Sequence, residues 1–150
     1  MSFMIESVSK NNLSEVLPLM RAYQQFYQVA DISDEKNAEF FGQFGEDSPL
    51  GCQFAYRQAG EVVGFATVYF SYASTITSKV AILNDLYTMP QYRGKGIGRQ
   101  LIERCKVYAK TQGAARLQWV TAPDNEPAQR LYDSMNTSKS TWHFYTYTTD

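Results

Sequence analysis

Apolar residues recur three and four positions apart at Leu13, Val16, Leu17, Met20, Tyr23 and Tyr27, the spacing that lines one face of an α-helix. Pro18 falls within or near the first turn of that stretch, so the helix is expected to begin around Ser14. Ser33 is a suitable N-cap for a second helix ending near Gly42. Elsewhere the pattern is that of strands. Residues 4–8 read as a first short strand, and the β-rich runs 52–58 and 62–70 meet at Ala59-Gly60-Glu61 as a hairpin. Residues 79–88 read as a further strand that opens on Val80-Ala81-Ile82-Leu83 and loses its apolar pattern at Asn84-Asp85. Ile97, Leu101, Ile102, Cys105, Tyr108 and Ala109 form the stripe of a long helix whose outer side carries Arg99, Glu103, Arg104 and Lys106, and Gly113 closes it. A strand over 116–121 follows. Pro123-Asp124-Asn125-Glu126-Pro127 then starts a last helix carrying Ala128, Leu131, Tyr132 and Met135, and residues 140–148 alternate aromatic and polar as a final strand. The order predicts an α+β fold, a mixed sheet flanked by helices, in a single domain spanning 1–150.

A chain of 150 residues can bury about two thirds of its unfolded surface in one core. Hydrophobic residues at 44% against 19% charged set it among globular proteins and apart from disordered ones. A net charge of −1 argues against a nucleic-acid partner, which would need cations spread over a face. Apolar runs such as 62–70 are interrupted by Gly64 and Thr67 and fall well short of a membrane span, and Met1-Ser2-Phe3-Met4-Ile5-Glu6 lacks the basic start of a leader. A cytoplasmic protein with no membrane partner is expected. Cys52 and Cys105 are too few and too far apart in sequence for a disulfide framework or a zinc site, and with His143 the single histidine no metal is expected.

Against that balanced background, three glycines and three cations crowd into Arg93-Gly94-Lys95-Gly96-Ile97-Gly98-Arg99, directly ahead of the long helix. Glycines let successive N–H groups converge on one point, and a helix N-terminus adds about half a positive charge, so the stretch reads as an anion cradle suited to phosphate. Two familiar phosphate motifs fail on spacing. Met89 stands where a P-loop has its first glycine and Gly96 where it has Ser or Thr, and Arg99 stands where a Rossmann fingerprint has its third glycine.

The pattern R-G-x-G-I-G after a strand resembles the pyrophosphate loop of the GNAT N-acetyltransferases. The resemblance covers essentially the whole chain in element order, with its specific content at 84–88, 93–99 and 125–132. It implies a sheet splayed at a β-bulge, placed here at Asn84-Asp85, and acetyl-CoA as cosubstrate in a direct transfer without a covalent enzyme intermediate. By position, Arg93, Gly94, Lys95, Gly96, Ile97, Gly98 and Arg99 would hold the pyrophosphate, with the backbone weighted above the side chains. Leu86, Tyr87 and Thr88 would offer main-chain groups to the pantetheine arm, and Asn125 would hydrogen-bond that arm. Tyr132, seven residues on, would lie near the sulfur and protonate the departing thiolate, a task that a phenol of ordinary pKa, about 10, can perform. An N-cap for Asn125 and half-buried packing for Tyr132 are the competing readings.

In the polyamine-acetylating branch a carboxylate stands just before the position of Asp85, where this chain has Asn84. Asp85 is the one acid in the stretch and is the candidate for amine binding or water-mediated proton removal, against a role in stabilising the bulge. Tyr23, Phe26 and Tyr27 are expected to wall the acceptor site. Asp31, Asp34, Glu35 and Glu39 make that region acidic, which favours a cationic acceptor: a polyamine, another small amino compound or a peptide lysine. A non-catalytic acyl-CoA-binding module is the alternative, and the presence of Tyr132 counts against it. The chain has Asn136-Thr137 where most of the family has Gly-Phe and two more strands. The single aromatic strand left, through Trp142-His143-Phe144-Tyr145, suggests a homodimer contact, as in the short branch of the family.

Overall fold

The computed structural model describes residues 2–150. Five strands form one sheet in the order β1 (Phe3–Ser7), β2 (Gly51–Gln58), β3 (Glu61–Ala73), β4 (Ser78–Thr88) and β5 (Leu117–Gln118). Neighbours are antiparallel except β4 and β5, which run parallel. Helices α1 (Leu13–Phe26) and α2 (Asp34–Phe41) connect β1 to β2, α3 (Ile97–Thr111) connects β4 to β5, and α4 (Glu126–Asp133) follows. The chain up to Trp119 and the chain from Val120 form two compact units, and each is described by itself.

Local chemistry sets most element ends as expected. The Ser33 hydroxyl accepts from the Lys36 N–H at 3.2 Å at the start of α2, and Gly42 caps its end. Ala59 and Gly60 both take positive φ, 51° and 84°, which is the requirement of the tight hairpin turn that joins β2 to β3. Helix α1 starts at Leu13, so Pro18 lies in the second turn and not the first. Pro18 is exposed there, and lacking an N–H it leaves the Ser14 carbonyl without a helical donor.

Side chains alternate across the sheet, and each face packs on different helices. Ala55, Phe65 and Tyr87 join Val16, Leu19 and Met20 of α1 and Phe41 of α2 in one core cluster. On the opposite face α3 lays Tyr108 against Phe54 and Phe70, with ring centroids 5.4 and 5.6 Å apart. Gly64 is what lets α3 come close. A Cβ there would meet the Tyr87 carbonyl oxygen at 3.0 Å and Cγ2 of Ile97 at 3.3 Å.

Two expected strands differ. The one over 116–121 is reduced to Leu117 and Gln118, paired with Ala81 and Ile82. Asn84, two residues beyond Ile82, is a bulge in β4, and a bulge bends a strand away from its course. The final strand over 140–148 does not form: no residue beyond α4 is in a strand, and Trp142, Phe144, Tyr145 and Tyr147 are 85–95% exposed. Alternating aromatics fit a pleated surface, but a strand exists only where another edge supplies its ladder bonds. The homodimer expectation thereby loses the edge strand on which it rested.

Candidate active site

The bulge decides which side chain of β4 faces α1. Before it, Val68 opposes Leu83; after it, Thr67 opposes Asp85, and Asn84 is the extra residue. Without that insertion Thr67 would oppose Asn84, and the acid would turn to the other face of the sheet. As built, Asp85 is only 7% exposed and lies on the face of Tyr87 and Phe65, beneath α1.

Tyr23 of α1 meets it there. The Tyr23 hydroxyl donates to the Asn84 carbonyl at 3.4 Å beside the Asp85 carboxylate, while the Asn84 side-chain amide donates to Asp85 Oδ1 at 3.1 Å. The Thr67 hydroxyl faces it from the paired position on β3. Burial raises the Asp85 pKa above the ordinary carboxylate range, and these donors offset only part of that. Among the described residues no Lys or Arg pairs with it. Burial, together with the nearby Asp85, also raises the Tyr23 phenol. Outward from Tyr23 the rings step edge to face, Tyr23 to Tyr27 at 5.0 Å and Tyr27 to Phe26 at 5.1 Å, and the last two are exposed. The structure therefore brings Asp85, Tyr23, Tyr27 and Phe26 into one row from core to surface.

The glycine loop joins the end of β4 to α3. Gly94 and Gly96 have φ of 78° and 85°, a conformation costly for other residues, and Gly96 is the N-cap of α3. The first turn of a helix leaves amides without intrahelical acceptors, and here it follows directly on those glycines. That donor set fits the diphosphate of a nucleotide-bearing cosubstrate. Arg93 folds back: its Nε donates to the Thr88 carbonyl at 2.9 Å and its guanidinium lies 5.5 Å from the Tyr87 ring centre. It braces the loop against β4, whereas Lys95 is exposed, its Nζ 5.5 Å from the Tyr92 ring centre. Leu86, Tyr87 and Thr88 follow the bulge, beyond the two residues of β4 that pair with β5.

Asn125 and Tyr132 belong to the second unit. The Asn125 side chain caps α4, accepting from the Ala128 N–H at 3.3 Å. Tyr132 is half-buried in the last turn, its carbonyl held by the Thr137 hydroxyl at 2.7 Å, and Asn136 takes the left-handed conformation expected after the helix, φ 58°.

Residues 16–136 match the profile of the acetyltransferase (GNAT) family. The chain belongs to the GNAT family. Its relatives include YhfO of Bacillus subtilis, an uncharacterised N-acetyltransferase 31% identical over 86% of this chain and 85% of its own. Thialysine N-epsilon-acetyltransferase of Bos taurus is 29% identical, with 95% of this chain and 90% of the relative covered. The fold is shared with the aminoglycoside N-acetyltransferase AAC(6')-Iy, solved with a bisubstrate analogue, at a TM-score of 0.83 and 18% identity over 99% of both chains. The protein is a GNAT N-acetyltransferase, and its cosubstrate is acetyl-CoA.

Three residues beside this candidate site escape a reading of motifs. Gln53, Thr67 and Tyr69 all lie on the Asp85 face, and the first two are fully buried. A polar residue in the middle of each apolar run was the available signal. Its meaning depends on strand register, which shifts by one residue at Tyr56/Arg57 and again at Thr67/Val68.

Proposed function

We propose that this GNAT enzyme acetylates the primary amine of a small aliphatic cation of the lysine or polyamine type. The observation that carries this reading is the buried carboxylate of Asp85, which no cation of the described chain neutralises and which exposed aromatic rings connect to the surface. Burying an ionised carboxylate is unfavourable unless something compensates it, and an incoming ammonium is such a group. Phe26 and Tyr27 suit the alkyl stem of that cation, and their ring faces attract its charge. The thialysine relative supports the same class, since its name specifies an ε-amine on a chain of lysine length.

When bound, acetyl-CoA supplies the thioester whose acyl carbon the amine attacks. Asp85 holds the ammonium and takes one of its protons, leaving the nitrogen lone pair available; its raised pKa matches it to that task better than an ordinary carboxylate. The loop glycines with the first turn of α3 hold the diphosphate, Arg93 keeping the loop in place. Tyr132 supplies the proton that the departing thiolate takes up. Its assignment rests on its place in N-E-P-A-Q-R-L-Y, and Asn125 is assigned to the pantetheine arm on the same ground.

The reading is tested by following CoA release over a panel of amines with the wild type and Tyr132→Phe. Cationic diamines and lysine analogues should outpace neutral amines. Removing the hydroxyl should lower turnover by about 10²-fold or more with acetyl-CoA affinity nearly unchanged. A preference for neutral amines would remove the cation reading, and full turnover in Tyr132→Phe would remove the acid.

A further inference from the structure

Three polar side chains form a single row across the sheet on the face covered by α1. Gln53 of β2 opposes Thr67 of β3, and Thr67 opposes Asp85 of β4. Gln53 and Thr67 are 0% exposed. The Gln53 side-chain amide donates to the Thr67 hydroxyl oxygen at 2.9 Å. A hydroxyl that already accepts on one side has its own proton to direct elsewhere, and the Asp85 carboxylate, directly across from Thr67 on the same face of the sheet, is the acceptor it faces. The Gln53 Oε1 is buried with no partner among the described residues, so the row is not there for packing. An aliphatic side chain at Gln53 would fill the space without burying an unmet acceptor.

We propose that Gln53 and Thr67 are positioning residues that orient and tune the Asp85 carboxylate from behind, leaving its other face for the acceptor amine. The proposal rests on the reading of Asp85 as the proton acceptor. The Gln53 amide fixes the direction of the Thr67 hydroxyl and polarises it, so that the carboxylate meets a committed donor and does not rotate to find one. The titratable groups facing Asp85 are Tyr23 on α1, with Tyr27 beside it, and Tyr69 on β3. Burial holds the Tyr23 and Tyr69 phenols above their ordinary value, so neither ionises in the acidic range where Asp85 titrates.

The pH dependence of kcat/KM for the amine tests this in Thr67→Val, Thr67→Ser and Asp85→Asn. Valine keeps the branched shape and lacks the hydroxyl; serine keeps the hydroxyl. Losing a donor to the carboxylate favours its protonated form, so the acidic limb of Thr67→Val should move to higher pH by about one pH unit, with kcat/KM on that limb down about tenfold. Thr67→Ser should restore the wild-type limb, and KM for acetyl-CoA should stay constant in both. Gln53→Met should move the limb the same way by less. A Thr67→Val limb that coincides with the wild type, while Asp85→Asn is inactive and limbless, would overturn the positioning role alone. Wild-type rates in Asp85→Asn would overturn the proton-acceptor reading and the positioning role together.

Discussion

On β2 and β3, Cys52, Phe54, Ala66 and Val68 face α3 and are apolar, while the residues alternating with them, Gln53 and Thr67, face α1 and are polar. All six are 0% exposed. Burial alone therefore does not choose these residues. The α3 face holds the helix that carries the glycine loop, and its demand is rigidity, met by close packing at Gly64. The α1 face holds the carboxylate proposed to receive the amine, and the demand of that role is a fixed polar orientation, which is unfavourable for stability wherever a partner is missing. On the proposed reading one sheet serves the cosubstrate from one side and the acceptor from the other, and the alternation of strand residues keeps the two demands apart.

The largest effect that separates the faces is expected in Asp85→Asn. Turnover should fall by about 10²-fold or more, as for loss of a general base. Thermal stability at pH 7 should rise. The folded-state pKa of Asp85 is raised above its unfolded value, so the stability linked to this proton is full below about pH 4 and is lost as pH rises through the folded-state value. Asparagine carries no charge to lose. A tenfold difference in proton affinity between the folded and unfolded chain is worth about 1.4 kcal/mol, and each kcal/mol about 2–4 °C in a protein of this size. The gain in Tm should shrink as pH falls and disappear well below about pH 4, where aspartic acid is neutral in both states. A lower Tm for the variant at pH 7 would mean that the polar neighbours Thr67, Tyr23 and Asn84 outweigh desolvation, and that the α1 face is not strained for function.

Gly64→Val probes the α3 face with the opposite signature. Its side chain would have to displace the Tyr87 carbonyl or Ile97, the first residue of α3. Overpacking of this kind costs about 1–3 kcal/mol, so Tm should fall by several degrees. The helix start would move with its loop, and calorimetry should show acetyl-CoA bound about tenfold more weakly, while the pH profile for the amine keeps its acidic limb. Unchanged acetyl-CoA affinity in a destabilised variant would separate the packing of α3 from the cosubstrate loop.

The loop and the long helix were legible in the sequence because each is a local matter, glycines ahead of a helix and apolar spacing, and the bulge that the family resemblance implied could be placed at a polar pair inside a strand. The row behind Asp85 was not. A two-residue turn at Ala59-Gly60 pairs Gln58 with Glu61 and, counted inward without interruption, would set Gln53 opposite Ala66; the irregularity at Tyr56/Arg57 sets it opposite Thr67 instead. A one-residue shift decides whether two polar groups meet or face opposite sides, and no composition or motif contains it. The tail shows the reverse failure. Residues 140–148 have the alternation of a strand, yet strand formation depends on an available edge and not on the segment itself.

The smallest effect sharpens the comparison most directly, because it makes on the α3 face the edit that Thr67→Val makes on the other, the removal of one hydroxyl. Tyr108 is buried against Phe54 and Phe70, and its Oη has no hydrogen-bond partner among the described residues. Burial pushes its phenol up to about 12, so it stays neutral and contributes only an unmet donor and acceptor. Tyr108→Phe keeps the ring contacts and removes that penalty. The expected gain is about 1 kcal/mol, or about 2–4 °C in Tm, with acetylation rates and the pH profile unchanged. If Tm falls instead, the hydroxyl is hydrogen-bonded in solution and the α3 face also contains a polar device. If Tm rises while Thr67→Val moves the pH limb, the same lost atom is harmless on one face of the sheet and functional on the other.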